Sequence, residues 1–531
     1  MIPLRIHTHH SLLRSAVAVK SLVEKAAEYK LSALAITDYN SMAGFVQLAK
    51  ACKENNIKPI YGVYLDDPQK PEQYICLLAK NREGYNDICR LITSRKLQTD
   101  FSLGASIRGL SSNLFAFSAS PEIVESQNNN PFFFVELIDS VYYKKQNKIL
   151  FDYCEKHQLR YIVSPSVYFL RKDDFILYQV LNAMRIKGTV ENLEPEYQHN
   201  DLWLKNPSDV EKRWQKITGA SENTELIAEQ CSVDIELGKY KFPEFQLPDG
   251  EDAYSKLYGI CSAGLSKRKT IDRQKANERL LYELSVIKDL KFLDYFLVVW
   301  DIIESAKKRG MYFIGRGSAA NSIVSYAMGL TGVDPLEHDL YFERFLNRGR
   351  LSPPDIDIDF SWKERDEIIK YVFKKYGYEK TAMICTTVTF RGRSAFREVA
   401  KVYGFSDREI SKFSKFIPWT SAANLPEIHN LYPESRNLPF DKEPWKSIVL
   451  LASQLGGYPR HLSIHPGGIV IAPDRITNHV ALDYAQNKGL GLVVTQTDMY
   501  SIEDLGLVKI DLLSQRSLGV LKTTLTMLNE E

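Results

Sequence analysis

Pro354-Asp355-Ile356-Asp357-Ile358-Asp359-Phe360 alternates three carboxylates with apolar residues. In an extended strand, side chains two positions apart share a face. The pattern predicts a strand with Asp355, Asp357 and Asp359 on one side and Ile356, Ile358 and Phe360 on the other. Three neighbouring charges of one sign repel unless a cation sits among them, and hard divalent ions such as Mg²⁺ are taken by carboxylate oxygens. The plainer alternative is a solvated acidic edge strand, although like charges side by side are unfavourable there as well.

A second acidic strand is expected at Leu507-Val508-Lys509-Ile510-Asp511-Leu512-Leu513. Lys509 and Asp511 share a face, and the other residues are apolar. A buried aspartate in such a strand is costly unless it is paired or bound to metal. Set beside the first strand, it would complete a three-carboxylate metal site with Lys509 close to bound phosphate.

Upstream, Met311–Ile314 reads as a strand, Gly315-Arg316-Gly317-Ser318-Ala319-Ala320 as a small-residue loop, and Ser322–Leu330 as a helix. A strand, a glycine loop and a helix N-terminus together offer backbone N–H groups to a phosphate. Arg344, in Phe342–Asn347, carries a guanidinium suited to phosphate oxygens. A structural salt bridge is the competing reading for Arg344.

The first part of the chain alternates strands and helices. Strands are expected at Pro3–His7, Leu34–Ile36, Ile57–Tyr64 and Tyr74–Ala79, with helices at Ala18–Lys30 and Phe45–Asn55. Such alternation predicts parallel strands and a (β/α) barrel, with functional residues at the carboxyl ends of strands. His7, His9 and Asp38 fall at such ends. The segment Lys241–Gly250 is rich in proline and glycine and marks a boundary.

Composition places limits on the rest. A chain of 531 residues exceeds a single core and calls for several domains. Charged residues at 25%, hydrophobic ones at 44% and a net charge of +2 describe an ordinary globular protein, so any nucleic-acid surface must be local. The seven cysteines are scattered and lack C-x-x-C spacing, which points to reduced thiols in the cytoplasm rather than a disulfide framework or zinc site. The N-terminus lacks a signal-peptide pattern, and no apolar run reaches the length of a membrane span.

The N-terminal segment resembles the polymerase-and-histidinol-phosphatase (PHP) phosphoesterase domain. His7-Thr8-His9 and Thr37-Asp38 match its first motifs, but Tyr39, Tyr64, Ser140 and Tyr168 stand where that family carries metal ligands. The resemblance implies a vestigial site at His7, His9 and Asp38 without phosphoesterase activity. Asp66 and Asp67 lie near enough to the third motif to suggest a rearranged site.

Taken in order, Gly315–Ser318, Asp334–Glu337, Phe342–Asn347, Pro354–Phe360, His465–Gly468 and Leu507–Asp511 resemble the catalytic core of the C-family bacterial DNA polymerases, the DNA polymerase III alpha subunits. That likeness implies a PHP domain at 1–245, a mixed α+β palm of the polymerase beta-like nucleotidyltransferase type at 250–389 and 463–531, and a helical thumb at 390–462. It implies two Mg²⁺ ions held by Asp355, Asp357 and Asp511, with Asp359 in support, and no organic cofactor. Gly317, Ser318, Arg344 and Lys509 would contact nucleotide phosphates. Asn321 departs from the family's usual glycine, which predicts a stiffer loop.

Arg391, Arg393 and Arg397 are expected just before an amphipathic helix, followed by Arg408, Lys412 and Lys415 at near-helical spacing. Arg391, Arg393, Lys412 and Lys415 would grip DNA phosphates without reading sequence. His461 and His465 are assigned structural roles near the palm. The implied partners are primer-template DNA, dNTP, a sliding clamp and other replisome subunits. Members of this family continue into a fingers domain and a clamp-binding region, so the chain reads as a fragment, a split gene or a truncated paralogue. A metal-dependent phosphoesterase and a non-catalytic DNA-binding remnant are the alternative functions.

Overall fold

In the computed structural model, residues 1–268, 272–349, 353–484 and 491–530 are described. The chain forms two compact units, one of residues 1–235, 386–463 and 480–483, the other of 236–385, 464–479 and 484–531. The switch near 235 falls slightly ahead of the expected Pro/Gly boundary.

The first unit carries a six-stranded sheet: β1 (Ala33–Tyr39), β2 (Lys58–Asp66), β3 (Tyr74–Ala79), β4 (Leu114–Ser118), β5 (Phe133–Ile138) and β6 (Tyr161–Ser164), adjacent in that order. β1 and β2 run parallel, as do β4, β5 and β6. β3 is antiparallel to both of its neighbours, which corrects the all-parallel expectation. The connection from Asp66 to Tyr74 is too short for a parallel crossover. Asp67 closes it by accepting the N–H groups of Gln69 and Lys70 on Oδ1 and that of Leu103 on Oδ2.

The expected Pro3–His7 strand reduces to a single bridge, Ile6 to Val167. Its role is nonetheless architectural. The Ile6 carbonyl accepts the Thr37 N–H of β1, while His7 and Arg5 bond Val167, just beyond β6. One short segment thus bonds the flanks of both outer strands and curls the sheet.

Strands buried on both faces read as continuous apolar runs, as β3 and β5 do. The exception inside β5 is Glu136, fully buried and neutralised by Arg5 at 2.9 Å. The Tyr74 hydroxyl donates to the same carboxylate oxygen at 2.7 Å.

Residues 386–463 do not stand apart as an isolated thumb. Phe396, Val399 and Ile448 share one hydrophobic cluster with Phe169, Tyr178 and Leu181. The Tyr458 hydroxyl donates to the Ala16 carbonyl at 2.8 Å.

A second sheet contains β7 (Phe313–Arg316), β8 (Asp357–Ser361), β9 (Thr381–Thr389), β10 (Pro459–Ile471), β11 (Leu482–Tyr484), β12 (Val493–Asp498) and β13 (Lys509–Gln515). Their order is β11-β12-β9-β10-β13-β8-β7. β13, β8 and β7 lie wholly in the second unit. β8 runs parallel to β13 and antiparallel to β7. All seven cysteines are buried, and none is in a disulfide.

Removing one partner of a buried ion pair leaves an uncompensated charge. Arg5→Met is therefore expected to lower the stability of the first unit by about 3–5 kcal/mol, and Arg5→Met with Glu136→Gln to recover part of that loss. Urea unfolding followed by tyrosine fluorescence measures both. An Arg5→Met protein as stable as wild type would remove Arg5–Glu136 from the account of this fold.

Candidate metal and nucleotide site

The parallel register of β13 on β8 sets Asp511 directly opposite Asp357. Asp355 was expected within the strand but lies two residues ahead of β8, and its carboxylate nonetheless joins the same group. Oxygen atoms of Asp355, Asp357 and Asp511 all lie within 4.8 Å of one another. Among the described residues no other three His, Cys, Asp or Glu side chains come together in this way. Asp355 is exposed, Asp357 half-buried and Asp511 buried, so the cluster opens to solvent on one side.

Lys509 supplies the local countercharge. Its Nζ stands 2.8 Å from Asp511 Oδ2 and 3.1 Å from Asp355 Oδ1. These carboxylates hold the ammonium well above its ordinary pKa against the opposing effect of burial. Asp357 is pushed up to about 6, first by burial and then by the charges of Asp355 and Asp511.

Arg316 was expected in the phosphate loop. Instead it faces β8, with Nε 3.7 Å from Asp357 Oδ2 and 3.6 Å from Asp359 Oδ1. Asp359 is buried and also accepts from Gln515 at 3.3 Å. It lies outside the three-carboxylate group, beside it on the same face.

His465 closes another side. Its Nδ1 accepts the Gly468 N–H at 2.6 Å and that of Gly467 at 3.2 Å. A nitrogen that accepts two N–H groups has no proton to give, which assigns the neutral ring its proton on Nε2. Burial lowers the pKa of His465, in keeping with a neutral ring. Asp511 Oδ1 lies 3.5 Å from this Nδ1 and, though buried, has no hydrogen-bond donor. This buried carboxylate oxygen without a donor is one that a cation would satisfy. A Cβ at position 468 would stand 2.8 Å from His465 Nδ1, so a larger residue there would displace the ring.

Two groups clamp the strands. The Tyr295 hydroxyl reaches the carbonyls of Pro354 and Lys509 at 3.3 and 3.4 Å. Buried Arg365 donates to the Leu512 carbonyl at 2.8 Å and also to that of Pro466.

The glycine loop is a tight turn, Gly317–Asn321, with Gly317 at φ +68°. Ser318 is half-buried and Gly317 exposed. The helix beyond it, Ile323–Met328, is not open to phosphate. Fully buried Glu283 accepts the N–H groups of Ile323 and Val324 at 3.1 and 3.2 Å, the Ser322 hydroxyl at 2.7 Å and Arg279 at 2.8 Å. This corrects the expectation of a helix N-terminus free for an anion and leaves only the turn itself. Asn321 does not strain the loop. Its φ is negative, and its side chain donates to the Ser318 carbonyl at 2.9 Å. Arg344 is exposed in the turn Phe342–Arg344, which packs near Gly317–Asn321. No salt bridge engages it among the described residues.

The arginines expected ahead of a helix lie at its start and inside it. Arg391 caps the helix Gly392–Val402, which contains Arg393 and Arg397. Arg393 is committed to the Ile417 carbonyl, at 3.0 and 2.5 Å. Arg397 bonds Asp407 at 2.7 Å. Arg391, Lys412 and Lys415 remain exposed.

The segment expected to hold a vestigial site is filled rather than open. His7 is buried between Tyr168 and Tyr39, with ring centroids 4.4 and 4.9 Å away. Burial and the Arg5 charge push its pKa well down. Asp38 accepts the Thr8 N–H at 2.6 Å and the hydroxyls of Thr8 and Ser11 at 2.7 and 2.5 Å. His9 stacks edge-on with His10 and Tyr458. Asp66 pairs with Arg95 at 2.8 Å, and Asp67 holds its turn, so neither forms a rearranged metal site. A cavity of about 510 Å³ here is lined by Arg5, Arg14, Tyr39, Tyr64, Tyr74 and Tyr168 among others.

Sequence reading missed Tyr295 and Glu283, the turn of Arg316 toward β8 and the approach of His465 to Asp511. Glu283 left a signal: it falls in the helical spacing Leu280, Glu283, Leu284, Ile287, a charge at a core position. Arg316 depends on antiparallel register, which no local pattern carries.

Asp357 is protonated more readily in the folded chain than at its ordinary value. The metal-free fold therefore loses stability as pH rises through about 6. Mg²⁺ is expected to raise the melting temperature more at about pH 8 than at about pH 5. Calorimetry at both pH values checks this, and an equal shift at both would contradict it.

Residues 255–514 match the bacterial DNA polymerase III alpha NTPase domain, and residues 3–159 match the PHP domain. The DNA polymerase III subunit alpha of Bacillus subtilis is 34% identical, covering 100% of this chain and 50% of the relative. An error-prone DNA polymerase of Symbiobacterium thermophilum is 32% identical over 97% of this chain and 51% of its own length. The DNA polymerase III subunit alpha of Haemophilus influenzae is 30% identical over 99% and 49%. The chain thus spans about half the length of the curated relatives it matches.

Proposed function

The chain belongs to the bacterial DNA polymerase III alpha family, and from that premise we propose that it supplies the catalytic half of a DNA-directed DNA polymerase. The reaction is template-directed nucleotidyl transfer from dNTP to a primer 3′-hydroxyl. One observation carries the reading: Asp357 and Asp511 on two paired strands and Asp355 just ahead of β8 bring carboxylate oxygens within 4.8 Å of one another.

The donor set suits Mg²⁺. It is all oxygen, it carries more negative charge than Lys509 balances, and it contains a buried Asp511 oxygen with no donor. Asp355, Asp357 and Asp511 would hold the metal. Bound there, two Mg²⁺ ions would acidify the primer hydroxyl and neutralise the triphosphate.

The chain's own residues orient and neutralise. Lys509 and Arg344 bring positive charge toward triphosphate oxygens, where Lys acts as a point charge and Arg as a fork. The Gly317-Ser318 turn offers close backbone approach. Arg316 keeps Asp357 and Asp359 from repelling each other. His465 holds the Gly467-Gly468 backbone of β10 and carries no proton on the nitrogen facing Asp511.

On this reading residues 250–389 and 463–531 form a polymerase beta-like palm. Residues 390–462 form the thumb, with Arg391, Lys412 and Lys415 toward DNA phosphates. Arg393 serves the thumb's internal structure first. The segment 1–245 is a PHP domain whose metal site has given way to tyrosines. Primer-template DNA, a sliding clamp and other replisome subunits are the partners. Among the described residues no helix is long and apolar enough to cross a membrane.

Asp355→Asn and Asp511→Asn, made in the protein that carries this chain, are expected to lower primer extension by about three orders of magnitude. That corresponds to several kcal/mol of transition-state stabilisation. His7→Ala should leave extension near wild type. Extension that survives both aspartate changes would refute the assignment.

A further inference from the structure

Trp419 is 84% exposed, although the loop that carries it is tightly held. Thr420 is buried, and its carbonyl accepts the Gly392 N–H at 2.9 Å. The Thr420 hydroxyl bonds Asn424 at 2.9 Å and Tyr432 at 3.0 Å. On the other side, Arg393 grips the Ile417 carbonyl through two nitrogens. The chain is therefore pinned at 417 and 420, and the indole between them projects into solvent. Leaving so large an apolar ring in water is unfavourable. A pinned loop that does so holds the ring ready for a partner.

The surroundings state the partner's chemistry. Trp419 borders a cavity of about 600 Å³ that is also lined by Arg391, Arg393, Arg397 and Arg460, and no acidic residue lines it. Arg397 and Arg460 are paired outward with Asp407 and Glu398. Arg393 faces a neutral carbonyl and keeps its charge. The Arg391 guanidinium stands over the indole, 5.6 Å from the ring centroid. A polyanion that also presents flat apolar rings fits this groove. An aromatic platform beside cationic side chains is how unpaired nucleic acid is held without sequence preference. Duplex DNA meets the charge but hides its base faces.

We propose that Trp419 stacks on a base of unpaired DNA whose phosphates lie along Arg391 and its neighbouring arginines. This extends the polymerase reading by placing a single-strand contact on the residue 386–463 segment. The test does not depend on catalysis. Binding of a short fluorescein-labelled oligothymidylate and of a blunt duplex of equal length is measured by anisotropy, with EDTA present so that the carboxylate cluster plays no part.

Trp419→Ala is expected to weaken oligothymidylate binding about ten-fold, within the range of one base stack. Duplex binding and the salt slope should stay unchanged. Trp419→Phe should keep most of the affinity, because a smaller ring still stacks. Arg391→Ala should flatten the salt dependence for oligothymidylate. Trp419 lies on the surface, so circular dichroism should show Trp419→Ala as folded as wild type. Undiminished oligothymidylate binding by folded Trp419→Ala would overturn the proposal. An equal loss on the duplex would also overturn it, in favour of a duplex grip. Loss of extension in the aspartate variants bears on the polymerase reading alone.

Discussion

The constraint on which the second unit turns is electrostatic: three carboxylates must share one corner of a sheet. Strand pairing brings them there, since β13 on β8 sets Asp511 against Asp357 and leaves Asp355 at the strand's mouth. Such a cluster is unfavourable in an otherwise apolar sheet. The surroundings answer it with Lys509 between two of the acids and Arg316 along the flank. Tyr295 and Arg365 then fix the backbones that carry them, bonding carbonyls of Pro354, Lys509 and Leu512. Partial neutralisation keeps the fold intact while leaving room for a stronger cation.

The first unit shows the opposite solution. Where a PHP metal centre would carry ligands, Tyr39, Tyr64 and Tyr168 surround His7. Buried Glu136 is paired with Arg5. Asp38 has turned its oxygens to hydroxyl and amide donors. Aromatic packing and the internal Arg5–Glu136 pair occupy this region. The two units thus hold one acidic cluster open to a cation and one histidine segment closed in by aromatic rings.

Much of this was legible in the sequence because local patterns carried it. Alternation in Asp355–Phe360 and Leu507–Leu513 marked the acidic strands, and Tyr39, Tyr64 and Tyr168 stood out as the rings that surround His7. What stayed hidden depends on relations between distant segments. The antiparallel placement of β3 follows from one short turn, and Arg316 reaches Asp357 only through the register of β7 on β8. The glycine loop looked like an open anion site because its spacing matches one. Glu283, some forty residues earlier in the chain, had already taken the helix N–H groups. Arg393 looked like a DNA contact because charge is visible in sequence and the carbonyl that claims it is not.

The central claim is that the carboxylate cluster, and not the histidine segment, is the metal centre. Crystals soaked in Mn²⁺ and measured at its absorption edge test it most directly. The account predicts anomalous density among Asp355, Asp357 and Asp511, lost in Asp511→Asn, and none beside His7 and His9. Density at the histidines with none at the aspartates would contradict it.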